Sequence, residues 1–234
     1  MRPRGAMVVS SDVLVVGGGL SGLVAATRLI DIKAQGGLGG RVLDKITVLE
    51  ARDRVGGRLY APEGLGVDLG GAWCWDHAHE EVPLLAAKLG VKAFAQHSYG
   101  WNVVDYGGRS VQRTKERFDS SKVRFSGGAF SIAKALQRQL RGNGVEVSLG
   151  CKVDHVDTQD PDWVVAKGTQ AGKEVTWRAK ALLVAVPPRL ATPPSMEWTP
   201  SLPLGLASAM KRTPTWMADT TKVTSFFDVI NSLM

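Results

Sequence analysis

Gly17, Gly19 and Gly22 keep the spacing G-x-G-x-x-G, with Leu20 and Ser21 filling the last gap. Residues of this type at this spacing suit a phosphate chain. Gly17 can turn the chain tightly, Gly19 lets a pyrophosphate approach the backbone, and Gly22 lets a following helix lie close to the preceding strand. A helix that starts there aims unpaired N–H groups at the phosphates. Glu50 stands 28 positions beyond Gly22. An acid at the end of the next strand can accept hydrogen bonds from ribose hydroxyls. Directly after it, Ala51-Arg52-Asp53-Arg54-Val55-Gly56-Gly57-Arg58 supplies a second glycine pair flanked by arginines.

The elements that must position these residues are legible around them. Val13 to Val16 is a short β-branched apolar run, the pattern of a buried parallel strand. Leu23 to Ile30 reads as a helix, and Ile46 to Glu50 as a second strand ending in the acid. Strand, glycine turn and helix in that order are the context the fingerprint needs. The acid is expected about 20 residues past the glycines, so residues 35–44, with two glycine pairs, read as an inserted surface loop. A nicotinamide dehydrogenase has no need of the second glycine pair and its arginines. A flavin dinucleotide, buried along its whole length, would use them.

Three stretches in order, VVGGGLSGLVAA, VLEARDRVGGRLY and VDLGGAW, resemble the N-terminal half of the flavin-containing amine oxidase family. The resemblance implies an α/β fold: a Rossmann-like FAD-binding domain with an interleaved, incomplete α+β substrate region. It implies FAD rather than NAD, held by Gly17, Gly19, Leu20, Ser21, Gly22, Glu50, Ala51, Arg52, Gly57 and Arg58. Glu50 would hold the adenosine ribose and Arg58 would lie by the phosphates. Gly70, Gly71, Ala72 and Trp73 would run close to the isoalloxazine ring, and the backbone of Val153 would pair with the adenine. Lys222, after TPTWM, sits where the family keeps a lysine bonded to a water near the flavin, and is the expected catalytic residue.

The implied organisation is an FAD-binding segment at 9–76, a substrate-side segment and connector at 77–125, a second FAD-binding segment at 126–190, and the start of a substrate region at 191–234. The implied reaction takes a small-molecule amine to an imine, with hydride passing to the flavin and dioxygen reoxidising it to peroxide. Carotenoid desaturases and protoporphyrinogen oxidases share the first fingerprint, but TPTWM with Lys222 argues against them. A non-catalytic dinucleotide-binding fragment is the other reading. Phe226 to Met234 does not continue the family pattern, and the family's flavin-capping segment is not recognisable. Weak FAD binding, little peroxide formation and exposed Phe226, Phe227 and Ile230 are therefore expected.

Further elements follow from periodicity. Residues 80–89 read as a helix with Leu84, Leu85 and Leu89 on its apolar side, and residues 91–94 and 101–104 as strands. Residues 109–122 read as a solvated connector. A helix runs from about Phe130 to Leu140. Residues 145–149 and 152–156 alternate as strands do, 163–167 and 174–178 form a hairpin, and 181–186 is a buried strand stopped by prolines. Trp73 and Trp75 are placed by the flavin, Trp163 and Trp177 in the hairpin.

Composition narrows the rest. Apolar residues make up 44% of the 234-residue chain, which suits an ordinary globular core. The net charge of +7 is scattered and forms no nucleic-acid arm. No apolar stretch is long enough to span a bilayer. Residues 1–10 read as a lead-in to a strand, not as a signal peptide. Cys74 and Cys151 match no metal spacing and read as inert thiols, which fits a reducing, cytoplasmic setting. His77 and His79, with Asp76, Glu80 and Glu81, read as a polar helix start, and no metal is expected.

Overall fold

The computed structural model describes residues 7–37, 43–75, 77–97, 100–105, 107, 110–115 and 122–225. The expectations placed on residues 1–6, 38–42, Asp76, Arg109, 116–121 and 226–234 lie outside the described residues.

The chain opens with β1 (Met7–Val16), α1 (Leu20–Ala34), β2 (Ile46–Leu49), β3 (Cys74–Trp75) and α2 (Glu81–Lys88). Then come β4 (Ala93–Ala95), β5 (Asn102–Asp105), β6 (Val111–Thr114), β7 (Lys122–Phe125) and α3 (Phe130–Gly142). The chain continues through β8 (Glu146–Ser148), β9 (Cys151–Asp157), β10 (Val164–Gln170) and β11 (Lys173–Val184), and then β12 (Glu197–Thr199) and α4 (Leu204–Arg212).

Seven strands form one sheet in the order β12-β9-β10-β11-β1-β2-β8. The right half, β11-β1-β2-β8, is parallel, with β1 at its centre. The left half is antiparallel through β9-β10-β11, and β12 adds parallel to β9. The sheet is thus mixed. A smaller sheet, β3-β7-β4, and a two-stranded ribbon, β5-β6, stand apart from it.

Val13 to Val16 are all buried because both faces of β1 are covered. Val13 and Val15 meet Leu23, Ala26 and Leu29 of α1 and Ile132, Leu136 and Leu140 of α3. Leu14 and Val16 meet Val156, Ala166, Trp177 and Met196 on the other side. In α3 the positions Ile132, Leu136 and Leu140 recur every four residues and so form one apolar stripe. Each such side chain is worth about 1.5–3 kcal/mol when fully buried.

Several sequence expectations are revised. In α2 the residue that turns inward is Ala86, fully buried, whereas Leu84 is 61% exposed. The helix is short and only its Val82, Leu85 and Leu89 side touches the core. Residues 109–122 are not merely a connector, since Val111–Thr114 pairs antiparallel with β5. Hydrogen bonding overrides the polar composition there. The hairpin strand near 174–178 and the strand near 181–186 are one continuous strand, β11. Its end is not buried: Leu183 and Val184 are 39% and 37% exposed. Pairing with β10 stops at Ala179, so beyond it β11 pairs only with β1 among the described residues. β12 joins the large sheet although it lies within 191–234. Residues 122–125 form the central strand of the small sheet, which periodicity did not indicate.

Candidate functional site

The glycine turn joins β1 to α1 at the edge of a cleft of about 1260 Å³, roomier than the ~300–1,000 Å³ of drug-sized pockets. Two glycines have opposite surroundings. A Cβ on Gly22 would fall on the carbonyl of Gly17, so that position is closed by the protein itself. A Cβ on Gly19 would meet nothing nearer than the Cα of Gly57 at 3.9 Å, and its φ of −71° suits any residue. Protein packing therefore does not require glycine at 19, and the space its missing side chain leaves belongs to the cleft. The N-terminus of α1 has no side-chain cap and no acid in its first turn. Its orphan amides and positive dipole end suit an anion.

Glu50 is 6% exposed and lines the same cleft. Its Oε2 accepts the Gly18 amide at 2.8 Å and its Oε1 the Arg52 amide at 2.9 Å. Each oxygen keeps a further lone pair for a ligand hydroxyl. The Glu50 main chain is bonded on both sides, donating to Ser148 O and accepting from Cys151 N. Arg52, Arg58, Lys152 and Arg189 also line the cleft, so cations outnumber the single acid there, the balance a diphosphate needs.

The second glycine pair lies directly against the first. Gly56 donates to Gly18 O at 2.8 Å, and Gly19 and Gly56 form an isolated bridge. Arg54 holds this loop from inside. Its guanidinium donates to the carbonyls of Val55, Gly57 and Leu59 and stacks on the Tyr60 ring at 4.3 Å.

The structure brings Gly17, Gly19, Leu20, Ser21, Glu50, Ala51, Arg52, Gly57, Arg58 and Val153 to the lining of one cleft. Gly22 lies beneath it. Gly70, Gly71, Ala72, Trp73 and Lys222 do not line it and form a second group alongside. This group is tied on by main-chain bonds from Leu69 and Gly70 to Tyr60 O and from Gly71 to Arg58 O. Lys222 joins it by donating to Asp68 O at 3.0 Å and to Gly70 O at 2.6 Å. Trp73 is 43% exposed, packs edge-on to Trp75 at 4.6 Å, and has the Lys122 ammonium 5.2 Å from its ring centroid.

Sequence reasoning missed Gly18, Arg54 and Asp68. Gly18 and Asp68 sit inside stretches quoted for their neighbours, and nothing in their type marks them. Leu183 to Pro187 also line the cleft; an apolar run reads as core whether its far side meets protein or a ligand.

Cys151 lies at the cleft wall. Burial, and secondarily the charge of Glu146, push its thiol from 9.0 up to about 11. It therefore stays protonated near neutrality. Among the described residues no three His, Cys, Asp or Glu side chains gather as a metal site, and no helix is long and apolar enough to cross a membrane.

The sequence profile of the flavin containing amine oxidoreductase family matches residues 20–125 and 116–230. The chain belongs to that family. A probable flavin-containing monoamine oxidase A from Dictyostelium discoideum is 37% identical over 102 residues, which is 43% of this chain and 20% of that protein. The flavin-containing amine oxidase B of Mus musculus is 42% identical over 87 residues, 36% of this chain and 15% of that one. A putrescine oxidase from Kocuria rosea is 35% identical over 97 residues, 41% of this chain and 18% of that one. The matched stretches thus span a fifth or less of these relatives.

Among solved structures, putrescine oxidase with bound putrescine superposes with a TM-score of 0.69 at 18% identity, over 87% of this chain and 64% of that one. Cyclohexylamine oxidase from Brevibacterium oxydans gives 0.69 at 17%, over 86% and 62%. The fold is that of the FAD-dependent amine oxidases.

Proposed function

We propose that this chain binds FAD in the cleft and serves the oxidation of a small-molecule amine, with dioxygen as the final electron acceptor. The observation that carries the reading is the unfilled space at Gly19, beside an uncapped helix N-terminus and a buried acid already aimed at the cleft.

The residues divide the work between the cleft and the loop beside it. The amides at the start of α1, through Leu20 and Ser21, face the diphosphate, and Arg58 adds charge to the same end. Glu50 accepts the ribose hydroxyls, and its two bonds to main-chain amides keep it from swinging away. Ala51 and Arg52 would border the ribose, and the backbone of Val153, in β9, would pair with the adenine. Bound flavin supplies a two-electron acceptor at its ring. Gly70, Gly71, Ala72 and Trp73 border that ring end, and Trp73 offers an aromatic wall that excludes water. Lys222 holds a positive charge fixed by two carbonyls, which steadies negative charge developing nearby. No side-chain base is needed when the amine binds unprotonated. The burial of Cys74 and Cys151 fits a reducing cytoplasmic compartment.

Titration of the purified chain with FAD, followed by flavin fluorescence, tests the reading. Saturable quenching by FAD with weaker competition from NADH supports it. Tight NADH binding with no response to FAD overturns it.

A further inference from the structure

We propose that Asp68 is a positioning residue for the loop beside the cleft that would border the flavin ring: its side chain anchors the start of α3 while its main-chain carbonyl holds Lys222. The role of Lys222 and the Gly70 loop in this proposal rests on the FAD reading above.

Asp68 is 7% exposed, unusual for a carboxylate. Its Oδ2 accepts the Ala129 amide at 2.8 Å and its Oδ1 lies 3.3 Å from the Phe130 amide. Both oxygens act as acceptors at once, at the positive end of a helix dipole, and that offsets the cost of burying the charge. An asparagine would turn an NH₂ group towards one of those amides. Gly128 is shaped to the same carboxylate, since a Cβ there would come within 2.7 Å of Oδ1.

The main chain of the same residue serves a different partner. Lys222 donates to the carbonyls of Asp68 and Gly70. Leu69 and Gly70 are in turn bonded to Tyr60, and Gly71 to Arg58. The start of α3 also touches the phosphate end. A Cβ on Gly56 would meet the Phe130 ring at 2.7 Å, so that ring packs flush on the second glycine pair. One helix end thus fixes two things: the loop that meets the fingerprint, through Phe130, and the loop that carries Lys222, through Asp68. Asp68 touches nothing in the cleft itself, so its effect passes through Lys222 and Gly70.

Asp68→Ala and the milder Asp68→Asn are compared with the unaltered 234-residue chain by three measurements. ADP affinity reads the adenosine end, FAD affinity with visible circular dichroism reads the ring end, and amine acetylation followed by mass spectrometry reads Lys222 without any cofactor. Lys173, in the β10–β11 hairpin, is the internal control. The expected result is a smaller loss of affinity for ADP than for FAD, because the phosphate end meets α3 through the packing of the Phe130 ring, whereas Lys222 is held by Asp68 itself. FAD affinity falls about tenfold, the effect of losing charge-assisted hydrogen bonds, with an altered flavin dichroism. Lys222 acetylates faster while Lys173 does not change. Parallel loss of ADP and FAD affinity, or unchanged Lys222 labelling in both variants, overturns the proposal. If the unaltered chain binds ADP but not FAD, the functional reading fails, and the labelling of Lys222 still decides the role of Asp68. Where Asp68→Ala does not fold, Asp68→Asn supplies all three measurements.

Discussion

Glu50 and Gly18 are joined by a 2.8 Å hydrogen bond from the glycine amide to Oε2. The acid at the end of the second strand and the glycine turn after the first are therefore one unit, closed before any ligand arrives. A ligand that meets it finds a carboxylate whose direction is set.

Replacing Glu50 by alanine removes the proposed ribose acceptor and also takes from the Gly18 and Arg52 amides the carboxylate that they bond. FAD affinity should fall by about 1–3 kcal/mol. Glu50→Gln keeps one acceptor and should lose less. Isothermal titration with FAD ranks the three, and equal affinities would remove Glu50 from the site.

Lys222→Met takes away the fixed cation beside Gly70. In FAD-loaded protein, reoxidation of dithionite-reduced flavin by dioxygen should slow by about tenfold or more, with FAD affinity less affected. Stopped-flow absorbance measures the rate. An unchanged rate removes Lys222 from the oxygen step.

Leu136 is fully buried between α3 and β1's helix-facing side. Leu136→Ala should cost about 2–5 kcal/mol of stability, read from urea unfolding. The exposed Leu84→Ala should change it by less than about 0.5 kcal/mol. Equal losses would mean that α2 docks differently.

The Cys151 thiol titrates near 9.0 when unfolded and near 11 in the fold. Above pH 9 the folded state holds this proton more tightly than the unfolded chain does. Unfolding then releases a proton, so stability contributed by the neutral thiol is full below pH 9 and declines as the pH rises towards 11. Cys151→Ser should flatten that alkaline decline. Native protein at pH 7.5 should also react slowly with a thiol reagent at this position.

The meeting of the glycine turn with the acid was legible because glycine spacing and a strand-end acid mark their own places: Gly17, Gly19 and Glu50 line one cleft. Asp68 was not, because its importance comes from Ala129 and Phe130, 61 and 62 residues away, and no local pattern encodes that meeting. Leu84 was misread for a different reason. A helix of eight residues presents several equivalent apolar faces, and the sheet beside it chooses among them. β11 was split in two because its composition changes along its length, while its hydrogen bonds to β1 do not.

That continuity makes β11 a mechanical lever. Twelve residues at about 3.3 Å each span roughly 40 Å, from the turn at Ala171–Gly172 to the cleft wall at Leu183 and Val184. Deletion of Thr176 would reverse every later side chain and swing Leu183 out of the wall and Trp177 out of the core. An insertion within the turn would leave both in place. Engineers who wish to lengthen or tag this protein have a tolerant point at the hairpin tip, and none along the strand that follows it.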